Sequence, residues 1–418
     1  KIRNKINSWS LDAMRVIALA YGNYKDAEIN EKKINQLVFT AITGMIDPPR
    51  EEVKNAVQSC REAGIRVIMA TGDHISTAMA IAKAVGIVSA DNKQEVIALA
   101  EDQLRALDDK EFDEAVKTVN VFARLNPETK LRIAERLQAM GELIAMTGDG
   151  VNDAPALKKA DVGIAMGIMG TDVARDAAKV VLADDNFSTI VHAIEQGRIV
   201  FMNARQASFY LITTNLAEIS TLIVTVAFGL PMPLTAVQIL WLNLVTDGIG
   251  DMALAAESGH GEALKVKPLH KDEKLLNKSI LPFLAINVLF MTVLSLLAYI
   301  YFLSYGIEHA RSAVFIVMSF TQLFNLYNMR SMTRSVFEIG IFSNVYVTIT
   351  MLSSALITIL IIEAPFFKTI FGFGVISTID FCILVLLSSL VLWVGEGYKY
   401  FKLKQSYSLS VNQLKDGH

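Results

Sequence analysis

Six apolar stretches follow one another through the second half of the chain, near residues 208–230, 234–256, 279–305, 311–329, 342–362 and 376–396. Each reaches the roughly 20 residues that an α-helix needs to cross hydrocarbon. Within a bilayer the backbone can satisfy its own polar groups only as a helix or a closed barrel. A single run of this kind could be the buried helix of a soluble core, but such a succession has no soluble home. The chain before residue 200 is different: it carries most of the charge and reads as globular. The average over 418 residues, 52% hydrophobic with a mean hydropathy of +0.39, hides that division. A length of this size suits two or three domains.

The first half alternates helices with short apolar strands. A helix is expected near Leu11–Tyr21 and a strand over Leu37–Ile46. Next come helix Glu51–Ala63, strand Arg66–Met69, helix His74–Val85, helix Thr129–Met140, strand Glu142–Met146, helix Ala154–Ala160 and strand Val162–Ala165. That alternation predicts an α/β, doubly wound, mostly parallel sheet. The acidic, polar segment Lys93–Val119 reads as peripheral helices and loops. At Asp47-Pro48-Pro49-Arg50 two prolines remove two amide donors, so neither a helix nor a central strand runs through. A stiff hinge and an ordinary turn both fit. A helical pattern from about Ser188 runs unbroken into the first apolar stretch and suggests a stalk.

The net charge of −3 gives no broad basic surface for nucleic acid. Cys60 and Cys382 lie in unrelated settings and form no disulfide framework, as expected of a chain facing a reducing compartment. No secretory signal opens the sequence. Lysines and arginines gather in alternate connections: Lys265, Lys267, Lys271, Lys274 and Lys278, then Arg330 and Arg334, then Lys399, Lys402 and Lys404. The connections at 230–233, 305–311 and 363–375 hold few. By the positive-inside rule both ends of the chain face the cytosol.

Three motifs carry chemistry. After the apolar segment Leu143-Ile144-Ala145-Met146 comes Thr147-Gly148-Asp149-Gly150-Val151-Asn152-Asp153-Ala154-Pro155-Ala156-Leu157. It gathers Asp149, Asn152 and Asp153 at the carboxyl end of a strand, where open α/β sheets place ligands. Asp149 and Asp153 offer the hard oxygens Mg²⁺ prefers when it also holds phosphate, although a solvated turn fits the spacing too. Thr71-Gly72-Asp73 stands between a strand and a helix, where a hydroxyl and free amides can take phosphate; an N-cap by Asp73 is the competing reading.

The third motif lies in the apolar half. Asn215 and Glu218 share one helical face in the first stretch, and Asn243, Thr246 and Asp247 share one in the second. An acid at mid-bilayer costs about 2.5–3.5 kcal/mol, and neither stretch has a Lys or Arg near these acids. A bound cation or a proton compensates most simply; carboxyls protonated and hydrogen-bonded between helices are the alternative. Gln322 in the fourth stretch could add a further ligand. Together these side chains offer about the six to eight oxygens that Ca²⁺ takes.

These motifs, together with Ala160-Asp161-Val162-Gly163-Ile164-Ala165-Met166-Gly167, the Asp47–Arg50 run and Leu244-Val245-Thr246-Asp247-Gly248, resemble the signatures of P-type ATPases in order and rough spacing, nearest to the calcium-pump branch. The likeness covers nearly the whole chain. It implies a haloacid-dehalogenase-like phosphorylation domain over 51–187, preceded by the end of a nucleotide-binding domain (1–46) and a hinge (47–50). After it would come a stalk and an all-α domain of six transmembrane helices (188–402) and a cytosolic tail (403–418). ATP and Mg²⁺ would be used in the soluble part, and a cation, Ca²⁺ first, carried across the bilayer of the cell membrane. Thr71, Gly72 and Asp73 would surround the phosphoryl group. Lys130, in Phe122-Ala123-Arg124-Leu125-Asn126-Pro127-Glu128-Thr129-Lys130, would contact it, and Arg15 would meet the nucleotide phosphates.

The Asp-Lys-Thr-Gly-Thr run that bears the family's phosphorylated aspartate does not occur in these residues, so the chain looks like the carboxyl-terminal half of a longer pump and inactive alone. The rest of that pump would supply another acidic ligand. Two departures stand out: Gln322 where reticulum-type calcium pumps have an acid, and Gly250-Asp251 where Pro-Ala is common. Carboxylates and amides suit Na⁺ as well as Ca²⁺. A membrane-anchored phosphatase-like or scaffolding module without transport is a reading of another class, but it gives the polar intramembrane residues no use.

Overall fold

The computed structural model describes residues 2–11, 14–22, 37–45, 48–88, 98–266, 268 and 280–415, leaving aside the side chains of 7, 10, 11, 15 and 403–415. The chain divides into two units: Lys1–Glu195 with Gly261–Glu273, and Gln196–His260 with Lys274–His418.

In the first unit, helix α1 (Ile2–Leu11) precedes strands β1 (Arg15–Tyr21) and β2 (Val38–Met45), which pair antiparallel from Arg15 opposite Met45 to Tyr21 opposite Val38. The helix expected over Leu11–Tyr21 is therefore a strand. Its apolar residues do not choose between helix and strand by themselves, and β-branched Val16 and Ile17 settle into cross-strand pairing once β2 is beside them. Asp47 of the proline run lies outside the described residues; Pro48–Arg50 carry no regular structure.

The elements that follow are α2 (Glu51–Glu62), β3 (Met69–Ala70), α3 (Ile75–Ala84), β4 (Ala98–Ala100), α4 (Glu101–Ala106), α5 (Asp109–Thr118), β5 (Val121–Ala123) and α6 (Pro127–Ala139). Then come β6 (Ala145–Gly148), a 3₁₀ turn (Val151–Asp153), α7 (Ala154–Lys159), β7 (Val162–Met166), α8 (Asp172–Ala177) and β8 (Val180–Leu182). All these strands pair in parallel, but in two three-stranded sheets ordered β3-β5-β4 and β6-β7-β8, not in one.

The period of two along a strand explains the winding. Val121 and Ala123 of β5 join the core under α2 and α3, with Val57, Ala78 and Ala82. Phe122 points the other way, into Leu104, Phe112, Val116 and Ile133 of α4, α5 and α6. Both faces of β5 are covered. Strand β7 repeats this on a smaller scale, with Ile164 toward Leu182 and Ile190 and Ala165 toward Leu157 and Ala174. Ile68 just before β3, Ala70 within it and Ile144 just before β6 pack on one cluster, so the sheets share a core.

Two expected strands are displaced, Arg66–Met69 to Met69–Ala70 and Glu142–Met146 to Ala145–Gly148. Ala98–Ala100, in a segment read as peripheral, is a sheet strand, because its neighbour β5 offers it a parallel partner.

The second unit is helical. Helix α9 (Phe187–Ala227) runs 41 residues, its first turns counted with the first unit. Next are α10 (Ala236–Trp241), a π-helical segment (Leu242–Asp247) and α11 (Gly248–Ala255). They are followed by α12 (Leu281–Leu303), α13 (Ile307–Met329), α14 (Val336–Ile339), α15 (Val345–Glu363), α16 (Pro365–Phe371), α17 (Thr378–Ser388) and α18 (Leu390–Lys415). Among the described residues four helical stretches are long and apolar enough to cross a membrane: Phe187–Ala227, Leu281–Leu303, Val345–Glu363 and Thr378–Lys402.

The other two of the six expected crossings differ for physical reasons. The π-helical segment interrupts the second, so none of its pieces has the length. The fourth, α13, carries Ser312, Ser319, Gln322, Asn325 and Asn328, all fully buried. It is the hub of the helical core, packed among α12, α15 and α17, and its polar side chains meet protein, not lipid. Outer helices instead expose Leu289, Leu297, Ile300, Ile349 and Leu352.

A buried ionic knot ties the ends of α11, α13 and α15. Arg330, with no exposed surface, donates from Nε and Nη2 to both carboxylate oxygens of Glu257 at 3.0 and 2.8 Å, and from Nη1 to the carbonyls of Gly340 and Ile341. Asn344 donates to Glu257 Oε2 at 2.7 Å. Burial by itself would raise the Glu257 pKa; the surrounding His260, Arg330 and Asn344 overcome it and hold the carboxyl at about 2.

Candidate functional sites

In the first unit the candidate residues sit at the carboxyl ends of β3 and β6. Thr71 N donates to Phe122 O at 2.9 Å, Leu125 N to Thr71 O at 3.0 Å, and Arg124 N to Asp73 O at 2.9 Å. The end of β5 thus clamps the Thr71-Gly72-Asp73 loop, with Arg124 held at φ 53, an unusual state for a residue with a side chain. Thr71 Oγ1 bonds Asp73 within the loop at 3.0 Å. The N-cap of α3 is His74, whose Nδ1 accepts from Ser76 N, so Asp73 is not the cap.

After β6, the side chains diverge in role. Lys130, placed by α6 one turn after its Asn126 cap, donates to Asp153 Oδ1 at 2.7 Å. Asp153 is buried, and a Cβ on Gly148 would stand 2.5 Å from its own Cβ, so only glycine leaves room for it. Asp149 is exposed; its carbonyl accepts from Thr171 N at 2.9 Å, which anchors its backbone. Asn152 is exposed beside it. Among the described residues no hydrogen bond joins Thr71–Asp73 to Asp149–Asp153, and no group of three or more His, Cys, Asp or Glu side chains is placed to hold a metal. Mg²⁺ on phosphate needs only one or two protein carboxylates and keeps waters, so an exposed Asp149 on an anchored backbone fits that ion. Arg15 begins β1; its side chain lies outside the described residues.

A further feature here was not legible as a motif. Asp185, at φ 49, accepts from the backbone N–H groups of Gly167, Ile168 and Met169 at 2.6, 3.0 and 2.7 Å. Burial pushes its pKa up, but these three donors outweigh that and hold it below the usual carboxylate range.

The second unit brings most of its candidate residues together. Glu218 is buried, and its Oε1 accepts from Gln322 Nε2 at 2.8 Å and its Oε2 from Asn243 Nδ2 at 3.2 Å. Asp247 has no exposed surface, and its Oδ2 accepts from Thr214 Oγ1 at 2.7 Å. Three helical segments, α9, the π-helical turn and α13, therefore meet at two acids. Among the described residues no Lys or Arg joins them: their partners are amides and hydroxyls.

Among the described residues several buried polar atoms in this region have no hydrogen-bond partner: Asp247 Oδ1, Thr246 Oγ1, Gln322 Oε1 and both amide atoms of Asn325. Orphaned buried oxygens are costly, and a bound cation is the natural group to satisfy them. Asn215 is not drawn in by any hydrogen bond to the cluster; half-buried, it donates to Leu211 O at 2.7 Å. Thr214 and the π-helical turn escaped sequence reading. Threonine in an apolar helix bonds its own backbone as readily as a neighbour, and a π-helical turn, often found at functional sites, has no residue signature here.

Comparison with known proteins gives this geometry its context. Residues 14–161 match the haloacid dehalogenase-like hydrolases, and residues 231–401 match the family described as cation transporting ATPase, C-terminus. A protein of Bacillus cereus named calcium-transporting ATPase 1 is 39% identical over 96% of this chain and 47% of its own length. The calcium-transporting ATPase of Bacillus subtilis is 39% identical over 90% of this chain and 42% of its own. A protein of Toxoplasma gondii named P-type sodium-transporting ATPase4 is 41% identical over 64% of this chain and 22% of its own. The chain belongs to the P-type cation-transporting ATPases. It spans about half the length of the first two relatives.

Proposed function

We propose that this chain is part of an ATP-driven pump that couples formation and hydrolysis of an aspartyl phosphate to movement of Ca²⁺ across a membrane. The observation that carries the reading is the buried Glu218–Asp247 cluster, supplied with amide and hydroxyl oxygens, without a neutralising Lys or Arg, and with unpartnered Asp247 Oδ1, Thr246 Oγ1 and Gln322 Oε1. Oxygen donors in that number suit a hard cation. Asn215, Glu218, Asn243, Thr246, Asp247 and Gln322 are its proposed ligands, Asn215 by turning its amide oxygen inward.

In the soluble unit, the phosphorylated aspartate would come from the rest of the protein. Thr71, Gly72 and Asp73 then surround the phosphoryl group, Lys130 offers it a positive charge, and Arg15 meets the nucleotide phosphates. Asp149 is the leading Mg²⁺ ligand, while Asp153 stands near it and orients Lys130. Asn152 holds the loop. Asp149 would hold Mg²⁺, which when bound would offset the charge on the phosphoryl oxygens. Phosphoryl transfer is chiefly a matter of positioning and electrostatics, which is what a clamped Thr71 loop and a Lys130 fixed by Asp153 provide.

The proposed topology has six crossings, counting the π-interrupted segment and α13, with both ends of this chain in the cytosol and the cell membrane as host. Na⁺ is the second reading for the ion: a protein named P-type sodium-transporting ATPase4 is 41% identical over 64% of this chain, and carboxylate–amide cages serve either ion.

Full-length protein in sealed vesicles should show Ca²⁺-stimulated, vanadate-sensitive ATP hydrolysis with ⁴⁵Ca²⁺ uptake. Stimulation by Na⁺ and not Ca²⁺ would reassign the ion; stimulation by neither would remove the pump reading. In the same assay Lys130→Ala should slow phosphoryl transfer by about 10²–10³-fold while sparing cation binding.

A further inference from the structure

One carboxylate of the cation-bearing segment takes no part in the cluster described above. Asp251 sits in α11, four residues after Asp247. Regular helix begins at Gly248, so Asp251 follows Asp247 on the same face, one turn nearer the carboxyl end of α11. It is half-buried and makes no hydrogen bond or ion pair among the described residues. Between the two acids stands fully buried Tyr210 of α9. Its hydroxyl reaches Thr246 O at 3.5 Å and would lie 3.0 Å from a Cβ on Gly250. Glycine at 250 is therefore what lets the tyrosine lie against the helix beside both acids.

The positions differ in what they can do. Asp247 has no exposed surface and an unpartnered Oδ1, beside an unpartnered Thr246 Oγ1, so it is built to hold an ion already stripped of water. Asp251 keeps part of its surface and has no partner to restrain it, so it can meet an ion that still carries water. Unpaired negative charge at the mouth of a low-dielectric site concentrates cations and speeds their capture.

We propose that Asp251 is an outer capture ligand, the first protein carboxylate that a divalent cation meets on its way to the Glu218–Asp247 cluster from the α11 end. This rests on the cation-pump reading above. The ion lands on Asp251 with part of its hydration, then exchanges water for Thr246, Asp247 and Glu218 one turn deeper. Asp251 accordingly governs the rate of entry more than the depth of binding.

The test is stopped-flow Ca²⁺ association in the full-length pump, followed by tryptophan fluorescence, with Trp241 immediately before the π-helical turn as the internal reporter. Asp251→Asn should slow association by about tenfold and flatten its dependence on ionic strength, with a much smaller change in dissociation rate. Asp251→Glu, which keeps a carboxylate, should associate within about twofold of the parent rate, an effect no packing role predicts. An Asp251→Asn protein that associates at the parent rate, or an Asp251→Glu protein as slow as Asp251→Asn, overturns the proposal alone. A parent protein that binds no Ca²⁺ overturns the Ca²⁺ reading and the proposal with it.

Discussion

Asp247 and Glu257 are two buried acids of one helix–loop segment, and their surroundings are opposite. Both oxygens of Glu257 are taken up by the Arg330 guanidinium, and Oε2 also accepts from Asn344. Asp247 accepts from the Thr214 hydroxyl, has the neutral Tyr210 hydroxyl beside it, and keeps one oxygen, Oδ1, with no hydrogen-bond partner among the described residues. A buried acid closed by a fixed cation has its charge settled by the fold, and nothing is left over for a ligand. A buried acid surrounded only by neutral donors leaves its charge to be settled by whatever binds. The same functional group is therefore left in two different states: one acid fastens helix ends, the other is open to the ion proposed above.

The sharpest way to break this contrast is to neutralise Asp247 and, separately, to remove the cation that closes Glu257. Asp247→Asn should abolish cation-stimulated ATP hydrolysis in the full-length pump while thermal stability holds or rises, since it strands no counter-charge. Phosphorylation from inorganic phosphate should persist. Loss of folding instead would make Asp247 a structural acid. Arg330→Leu should do the reverse. It leaves Glu257 buried and uncompensated, a loss of about 3–5 kcal/mol, visible as a lower unfolding temperature in detergent, and Glu257→Gln in the same chain should recover part of it. Absence of recovery would mean that Arg330 acts mainly through the Gly340 and Ile341 carbonyls.

Smaller effects sharpen the comparison. Thr214→Val removes the 2.7 Å hydrogen bond from Thr214 to Asp247 and should weaken cation binding or alter its selectivity by about 1.5–3 kcal/mol, measured by equilibrium ⁴⁵Ca²⁺ binding. The pH dependence isolates Glu257. Its pKa falls from 4.5 to about 2 on folding, so its contribution to stability is fully present above 4.5 and is lost as pH drops through about 2. The stability gap between parent and Glu257→Gln should accordingly narrow over that range. A gap that stays constant would remove the ion pair as its cause.

How much of this was readable beforehand depended on whether a residue's role is local. The Asp149–Asp153 loop, the Thr71 loop and the pattern of intramembrane acids are local: short polar runs after apolar strands, or carboxylates inside apolar stretches, declare themselves by spacing. Arg15–Tyr21 did not, because its apolar residues suit a helix as well as a strand and β2 decides between them. The number of continuous apolar crossings was obscured for a related reason, since hydropathy cannot register a π-helical turn or tell that α13 is shielded on all sides by other helices. Glu257 and Arg330 lie far apart in the chain, and neither residue announces the other.

From the amino-acid order alone came the division into a charged α/β part and an apolar helical part, the parallel pairing of the strands, the polar loops after β3 and β6, and the acids in the second part. Those follow from periodicity, turn chemistry and the cost of charge in hydrocarbon, all of which act over a few residues. Which acids would be closed by a cation and which left open was decided only by packing in three dimensions. Whether Arg330 reaches Glu257, whether Thr214 reaches Asp247, and whether Gln322 turns its amide nitrogen to Glu218 depend on where α9, α11 and α13 come to rest against each other.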